Sequence, residues 1–201
     1  DDPTHVCNVI TCWDNFSKKF NTFGIHEYTG EGRDDMVYHY CKTERDMFLK
    51  FLNYIEMQHP DIISGWNSEF FDIPYIVNRM ERILGQEYVD RLSPLRNVYF
   101  RMRMGSFGRE QKRYYFDGVA NLDYLDVYKR FCLKLRESYK LDAIGELELG
   151  QKKIDYEGLA LHELADQDWN KFIDYNVQDV NLLVKLEEKL QYIPLLRMLS
   201  Y

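Results

Sequence analysis

Apolar residues recur at two different periods along this chain, and each change of period marks a new element. Near the start, His5–Trp13 (HVCNVITCW), Lys18–Phe23 and Met36–Tyr40 are short β-branched and aromatic runs that predict strands. A turn falls at Asp14-Asn15 and a Gly- and Asp-rich loop over 28–35. From Thr43 the period lengthens. Met47, Phe48, Phe51, Leu52 and Ile55 lie at helical spacing behind a capping threonine, and Pro60 closes the helix. Asp61–Trp66 (DIISGW) predicts a short buried strand. Pro74 suits an early helical position, and the helix continues through Tyr75–Leu84 to a stop at Gly85.

Beyond it, Asn97–Met104 and Gln111–Phe116 bracket the sequence GSFG and predict a β-hairpin over about 97–116. Gly118–Asp123 predicts another buried strand, followed by a helix over Tyr124–Phe131 and a short amphipathic helix over Tyr139–Leu149. Asp166 is expected to cap the last long helix. Its stripe is Phe172, Ile173, Val177, Val180, Leu183, Val184 and Leu190, and Pro194 ends it. Strands come first, then strands alternating with helices, a pattern that predicts an α/β sandwich with a mixed sheet. With no repeat and no linker, residues 1–201 are expected to form one domain.

Composition narrows the class. Apolar residues make up 45% and aromatics 15% of the chain, which describes a packed core and excludes a disordered protein. No apolar run suits a membrane span, so no membrane role is expected. The chain does not start with Met and shows no signal segment, so it is expected to begin inside something longer or to have been processed. Its four cysteines form no CxxC pair and its histidines no HxxxH pair. The expectation is reduced, packed thiols in the cytoplasm, a host's cytoplasm for a viral protein.

A net charge of −7 argues against nonspecific coating of nucleic acid by the whole surface. The charge is uneven, however. Arg96, Arg101, Arg103, Arg109, Lys112 and Arg113 have only Glu110 opposing them in sequence. An acidic body with one basic loop suits a protein that holds divalent metals in one place and a phosphate backbone in another. A hairpin merely solvated by arginine is the alternative.

Candidate chemistry rests on three residues. Tyr175 and Asp179, four apart, share a helix face beside the apolar stripe, where a carboxylate needs a cation or a hydrogen bond. A solvated Asp on a polar face is the plainer reading. Asp72 follows a predicted strand, a common place for ligand-binding residues in α/β proteins, but it could equally cap the next helix. Carboxylates at strand and helix ends suit hard divalent cations.

The run GWNSEFFDIPYI resembles the second exonuclease motif of family B DNA polymerases (Asn, three residues, an aromatic, then Asp), and YNVQD resembles the third (Tyr, three residues, Asp). Ala120–Phe131 and Ser138–Gly145 are also similar to that family. The likeness is strongest to the replicative polymerases of T-even-like bacteriophages and runs through nearly the whole chain. It implies a ribonuclease H-like 3′→5′ exonuclease fold of the tyrosine DEDD branch, a mixed central sheet flanked by helices with an inserted β-hairpin. It implies that Asp72 and Asp179 are ligands of a two-metal Mg²⁺ or Mn²⁺ site and that Tyr175 orients the attacking water. Asn67 and Phe71 would touch the terminal nucleotides, although Phe71 could also be a packed core residue. The hairpin arginines Arg101, Arg103 and Arg109 would face DNA phosphates. The implied partners are a single-stranded DNA 3′ end or primer terminus and the remainder of a polymerase chain. The family's first motif, Asp-x-Glu on the opening strand, is missing from the start of this sequence, and Asp1-Asp2 does not replace it. The chain is thus expected to lack one strand and half its metal ligands and to be inactive alone. A non-catalytic single-stranded DNA-binding module is the competing class.

Overall fold

In a computed structural model that describes residues 5–104, 110–150 and 161–199, the chain divides into two units. The first comprises Asp1–Asn8 and Thr43–Lys129, the second Val9–Lys42 and Arg130–Tyr201.

In the first unit, α1 (Glu44–Gln58) starts as expected. The Thr43 side chain accepts the Asp46 amide at 3.1 Å, and Met47, Phe48, Phe51, Leu52 and Ile55 are its buried residues. Glu44, in its first turn, ion-pairs with Arg79 on α2 (Asp72–Leu84) through contacts of 2.6 and 2.8 Å and also accepts the Cys7 amide. Both side chains of the pair are about nine-tenths buried. Ile73, Val77 and Met80 are the buried residues of α2, and Gly85 closes it. A short helix, α3 (Gln86–Val89), and a 3₁₀ turn (Asp90–Leu92) follow, neither of which the sequence pattern indicates.

Two sheets belong to this unit. β4 (Ile62–Gly65) pairs in parallel with β7 (Ala120–Asp123), aligning Gly65 with Asp123. β5 (Val98–Met104) pairs antiparallel with β6 (Glu110–Phe116). The expected tip of this ribbon, Gly105–Gly108, lies outside the described residues. α4 (Tyr124–Phe131) has the predicted bounds. Its Tyr124 and Tyr128 are fully buried, and Trp66 lies against both rings.

In the second unit, β1 (Val9–Asp14) runs antiparallel to β2 (Lys19–Gly24), which runs parallel to β3 (Met36–Tyr40). Strands therefore form three small sheets among the described residues, where the sequence pattern suggested one. Alternation identifies strands but does not say which ladders join them.

The helices of this unit are α5 (Leu141–Leu149), α6 (Leu161–Gln167), α7 (Trp169–Leu190) and α8 (Tyr192–Leu199). The cap of α7 is Asp168, which accepts the Lys171 amide at 3.0 Å; Asp166 sits inside α6 instead. Pro194 does not end α7. Gln191 does, in a left-handed conformation, and Pro194 lies in the first turn of α8, where its missing N–H costs nothing.

α7 is buried on two sides. Ile173 and Val177 pack with Phe20 of β2, joined by Phe172, Val180 and Val184. Leu182 and Leu186 are buried as well, and Leu182 lies so close to Gly145 of α5 that a Cβ there would meet it at 2.7 Å. Leu183 and Leu190, expected on the buried stripe, are only half-buried.

Candidate functional site

The parallel pair β4–β7 ends at one point, and the chemistry of the first unit gathers there. Asp123 is only 4% exposed. It accepts the backbone amides of Asn67 at 3.0 Å, Glu69 at 3.1 Å and Leu125 at 3.0 Å. One carboxylate thus fixes both the loop leaving β4 and the start of α4. The loop turns sharply: Asn67 adopts φ +58, a region asparagine tolerates better than most residues. Gly65 must be small, because a Cβ there would strike the Ser68 side chain at 2.7 Å. Burial holds the Asp123 carboxyl above its usual range, opposed by the amides of Glu69 and Leu125.

This clamped loop delivers three of the sequence-predicted residues. Asn67 is exposed, and Phe71 is 69% exposed, so Phe71 is not the core residue that was its alternative. Asp72 is the first residue of α2. It does not occupy the cap position of that helix: Phe71 does, and makes no side-chain cap hydrogen bond. Asp72 is solvent-accessible as a residue, yet its carboxyl is pushed up to about 6, first by desolvation and then by the neighbouring Asp123 charge.

The ribbon β5–β6 carries the basic residues, and alternation sorts them. Tyr114 and Phe116 point inward, and the Tyr114 hydroxyl donates to Asn78 of α2 at 2.6 Å. The other face carries Tyr99, Arg101 and Arg103 opposite Tyr115, Arg113 and Gln111. Tyr99 and Tyr115 stack with centroids 5.4 Å apart and planes 15° apart. The Arg101 guanidinium lies 5.7 and 5.6 Å from those two centroids. Arg101 and Arg103 are exposed, and Arg109 lies outside the described residues.

Two other cations of the basic window are not free. Arg96 pairs with Glu56 at 2.8 Å, and Arg113 pairs with Glu69, itself 1% exposed, at 2.5 Å. Glu69, Asp123, Tyr99 and Tyr115 are functional candidates that sequence reasoning missed. Only the position of Asp123 at the end of a strand could have signalled one of them.

In the second unit, Tyr175 and Asp179 lie one turn apart on α7. Tyr175 is 7% exposed and Asp179 is half-buried. Asp174, which immediately precedes Tyr175, is exposed and accepts the Tyr28 hydroxyl at 2.8 Å. Desolvation, reinforced by that carboxylate, pushes the Tyr28 phenol up to about 12. Asn67, Phe71 and Asp72 thus share one loop, Arg101 and Arg103 one ribbon face, and Tyr175 and Asp179 one helix turn. The first two groups belong to the first unit and the third to the second.

The donor set gives a test of metal fit. Of the two neighbouring carboxylates at the β7–α2 end, Asp123 is spent on three amides, which leaves Asp72 alone with an accessible charge. Among the described residues, no group of three or more His, Cys, Asp or Glu side chains gathers that could hold an ion. These residues by themselves do not make a metal cage.

Comparison with known proteins gives the remaining finding. Residues 2–144 match a family model described as DNA polymerase family B, exonuclease domain. The chain is similar to the DNA-directed DNA polymerase of Enterobacteria phage T4, with 33% identity over 193 residues, 96% of this chain and 21% of that protein. It is similar to the DNA-directed DNA polymerase of Escherichia phage RB69, with 34% identity over 177 residues, 88% of this chain and 19% of that protein. A DNA polymerase delta catalytic subunit from Oryza sativa is 31% identical over 160 residues, 75% of this chain and 14% of that protein. The chain spans about a fifth of the length of the two phage relatives.

Proposed function

The chain belongs to the exonuclease domain family of the family B DNA polymerases, and from that premise we propose that it is the ribonuclease H-like proofreading domain of a replicative polymerase. Its reaction is hydrolysis of the last phosphodiester of a mismatched 3′ end. The family match over residues 2–144 is the observation that carries this reading.

The chain's own residues then take the following parts. Asn67 and Phe71, exposed on the clamped loop, meet the terminal nucleotides, with the Phe71 ring offering a flat face to a base. Asp72 and Asp179 supply negative charge beside the scissile phosphate. The Tyr175 hydroxyl hydrogen-bonds the attacking water and holds it in line. The reading implies Mg²⁺ or Mn²⁺, the ions of a two-metal hydrolysis, but the described residues form no cage for them. With no Asp-x-Glu motif on its opening strand, the chain by itself is expected to cleave very weakly.

A second reading, a non-catalytic single-strand binding module, is favoured by one observation. The stacked Tyr99–Tyr115 pair beneath Arg101 is a surface suited to bases and phosphates whether or not cleavage follows. The two readings separate by where a strand ends on the protein. A single strand carrying a photoreactive thymidine at its 3′ terminus should crosslink to the segment 64–76 or 172–180. Crosslinks from interior positions only, with none from the 3′ terminus, would leave the binding module standing and remove the exonuclease.

A further inference from the structure

A cavity in the first unit lies apart from Asp72. It has a volume of about 270 Å³ and is bounded by Glu69, the ribbon residues Tyr99, Arg113 and Tyr115, the turn after β6, and Asn121 of β7. Its size is just under the roughly 300–1,000 Å³ of drug-sized sites, which suits one heteroaromatic base and not a base pair.

Two features of its lining call for a partner. Glu69 is 1% exposed, and while one carboxylate oxygen pairs with Arg113, Oε2 is buried with no hydrogen-bond partner among the described residues. Asn121 has both its amide nitrogen and its amide oxygen buried and unpartnered. Buried polar groups are nearly always satisfied in folded proteins, because leaving one unpaired forfeits its full hydration. Three such atoms around one cavity are unusual, and they come with two tyrosine rings in the lining. Asp123 positions Glu69, through its bond to the Glu69 amide. Arg113 covers the carboxylate and keeps a third of its side chain exposed, so a swing of that side chain opens Glu69 to the cavity.

We propose that this cavity binds a guanine base. Once Arg113 swings aside, the lining offers a carboxylate acceptor, an amide donor and flat aromatic faces. Among the four DNA bases, only guanine offers two adjacent N–H donors, at N1 and N2, with an acceptor, O6, beside them. Glu69 takes the two donors, the Asn121 amide nitrogen serves O6, and a tyrosine ring stacks on the base. Adenine and cytosine each bring one amino group next to a ring acceptor that would face the carboxylate, and thymine brings a single donor between two carbonyls. The choice of a nucleobase rests on the strand-binding reading above; the selectivity rests on the cavity alone. The base arrives either as a free nucleotide or extruded from a single strand.

The test is a titration of the isotope-labelled chain with each deoxynucleoside monophosphate, following by NMR the Asn121 side-chain amide and the backbone amides of the cavity lining, the latter also in the variants. Deoxyguanosine monophosphate should move those signals. Deoxyinosine monophosphate, which lacks only the N2 amino group, should bind about tenfold or more weakly, the worth of a hydrogen bond to a charged acceptor. Asn121→Ala, which leaves the Glu69–Arg113 pair in place, should weaken deoxyguanosine monophosphate while leaving the other three nucleotides as they were. Glu69→Gln, if it folds, should do the same. Equal binding of all four nucleotides, or a guanine preference that survives Asn121→Ala, overturns the proposal. A second arm compares oligothymidylate with the same strand carrying one guanine. A gain from the guanine identifies the strand as the source, and a preference confined to the mononucleotide identifies a free nucleotide. If oligothymidylate binds but guanine is favoured in neither form, the cavity proposal fails and the strand-binding reading stands. If deoxyguanosine monophosphate binds and no strand does, the reverse holds.

Discussion

Asp123 accepts the backbone amide of Asn67 at 3.0 Å, although 56 residues separate them in the chain. That bond is one of three the buried carboxylate makes, and together they set the loop on which Asn67, Glu69, Phe71 and Asp72 sit. Replacing one oxygen by an amino group, as in Asp123→Asn, turns an acceptor into a donor facing a buried amide. The expected loss is about 1–3 kcal/mol of stability. A denaturant titration of the two proteins measures it, and an unchanged midpoint would mean that the loop holds its shape without the carboxylate.

Asp72 should make stability depend on pH in an unusual direction. Its carboxyl is pushed up to about 6 from an ordinary 3.8, so between those values the folded chain holds a proton that the unfolded chain releases. Its contribution is therefore most favourable below pH 3.8 and declines as pH rises through 6. Asp72→Asn, which cannot ionise, should melt higher than the parent at pH 7.5 and match it near pH 3.5. Parallel thermal melts decide this. A variant that melts lower at pH 7.5 would show that the folded state stabilises the Asp72 charge.

Arg101 and Arg103 stand on one exposed ribbon face and should meet phosphates by charge. Replacing both with Ala should reduce the salt slope of single-strand binding by about 1.4, since each phosphate contact on a single strand contributes about 0.7. Folding should change by no more than about 0.5 kcal/mol per site. Arg101→Lys keeps the charge but loses the planar group over Tyr99 and Tyr115, so it should weaken binding while preserving the slope. Fluorescence anisotropy at several salt concentrations, with a thermal melt alongside, tests both. A preserved slope in the double variant together with a lowered melting temperature would assign these arginines to the fold.

Gly145 marks where α5 and α7 touch. Gly145→Ala places a methyl group 2.7 Å from Leu182, inside van der Waals contact, and overpacking of this kind costs about 1–3 kcal/mol. Leu182→Ala carries its own cost as a buried leucine, but the losses of Gly145→Ala and Leu182→Ala combined should be smaller than their sum, because the second removes the clash made by the first. A double-mutant cycle reads the coupling, and strictly additive effects would contradict the contact.

Much of the fold is legible in the chain because it is local. The five buried residues of α1, the Thr43 cap, the place of Pro74 in α2 and the bounds of α4 follow from spacing within one or two turns. What was not legible depends on residues far apart. The basic window loses Arg96 to Glu56 and Arg113 to Glu69, partners that no count along the chain reveals. α7 hides Leu182 and Leu186 on a second side, and a search for one stripe misses a helix buried on two. It ends at Gln191 because a non-glycine residue adopts the left-handed conformation there, against its usual preference. For the candidate site, the motifs located Asp72, Tyr175 and Asp179. They gave no sign of the Asp123 clamp or the Tyr99–Tyr115 stack, which exist only once β4 meets β7 and β5 meets β6.

The most direct test of the proofreading reading is digestion of a 5′-labelled single strand in Mn²⁺. The 201-residue chain is assayed beside a chain in which an opening strand bearing Asp-x-Glu precedes the same residues. Almost no digestion is expected from the first. The second should shorten the strand stepwise from its 3′ end, with digestion abolished by Asp179→Ala and reduced by about a hundredfold or more by Tyr175→Phe, the range expected for loss of a group that positions the attacking water. Digestion that survives Asp179→Ala, or no digestion in either chain, would contradict the proofreading reading.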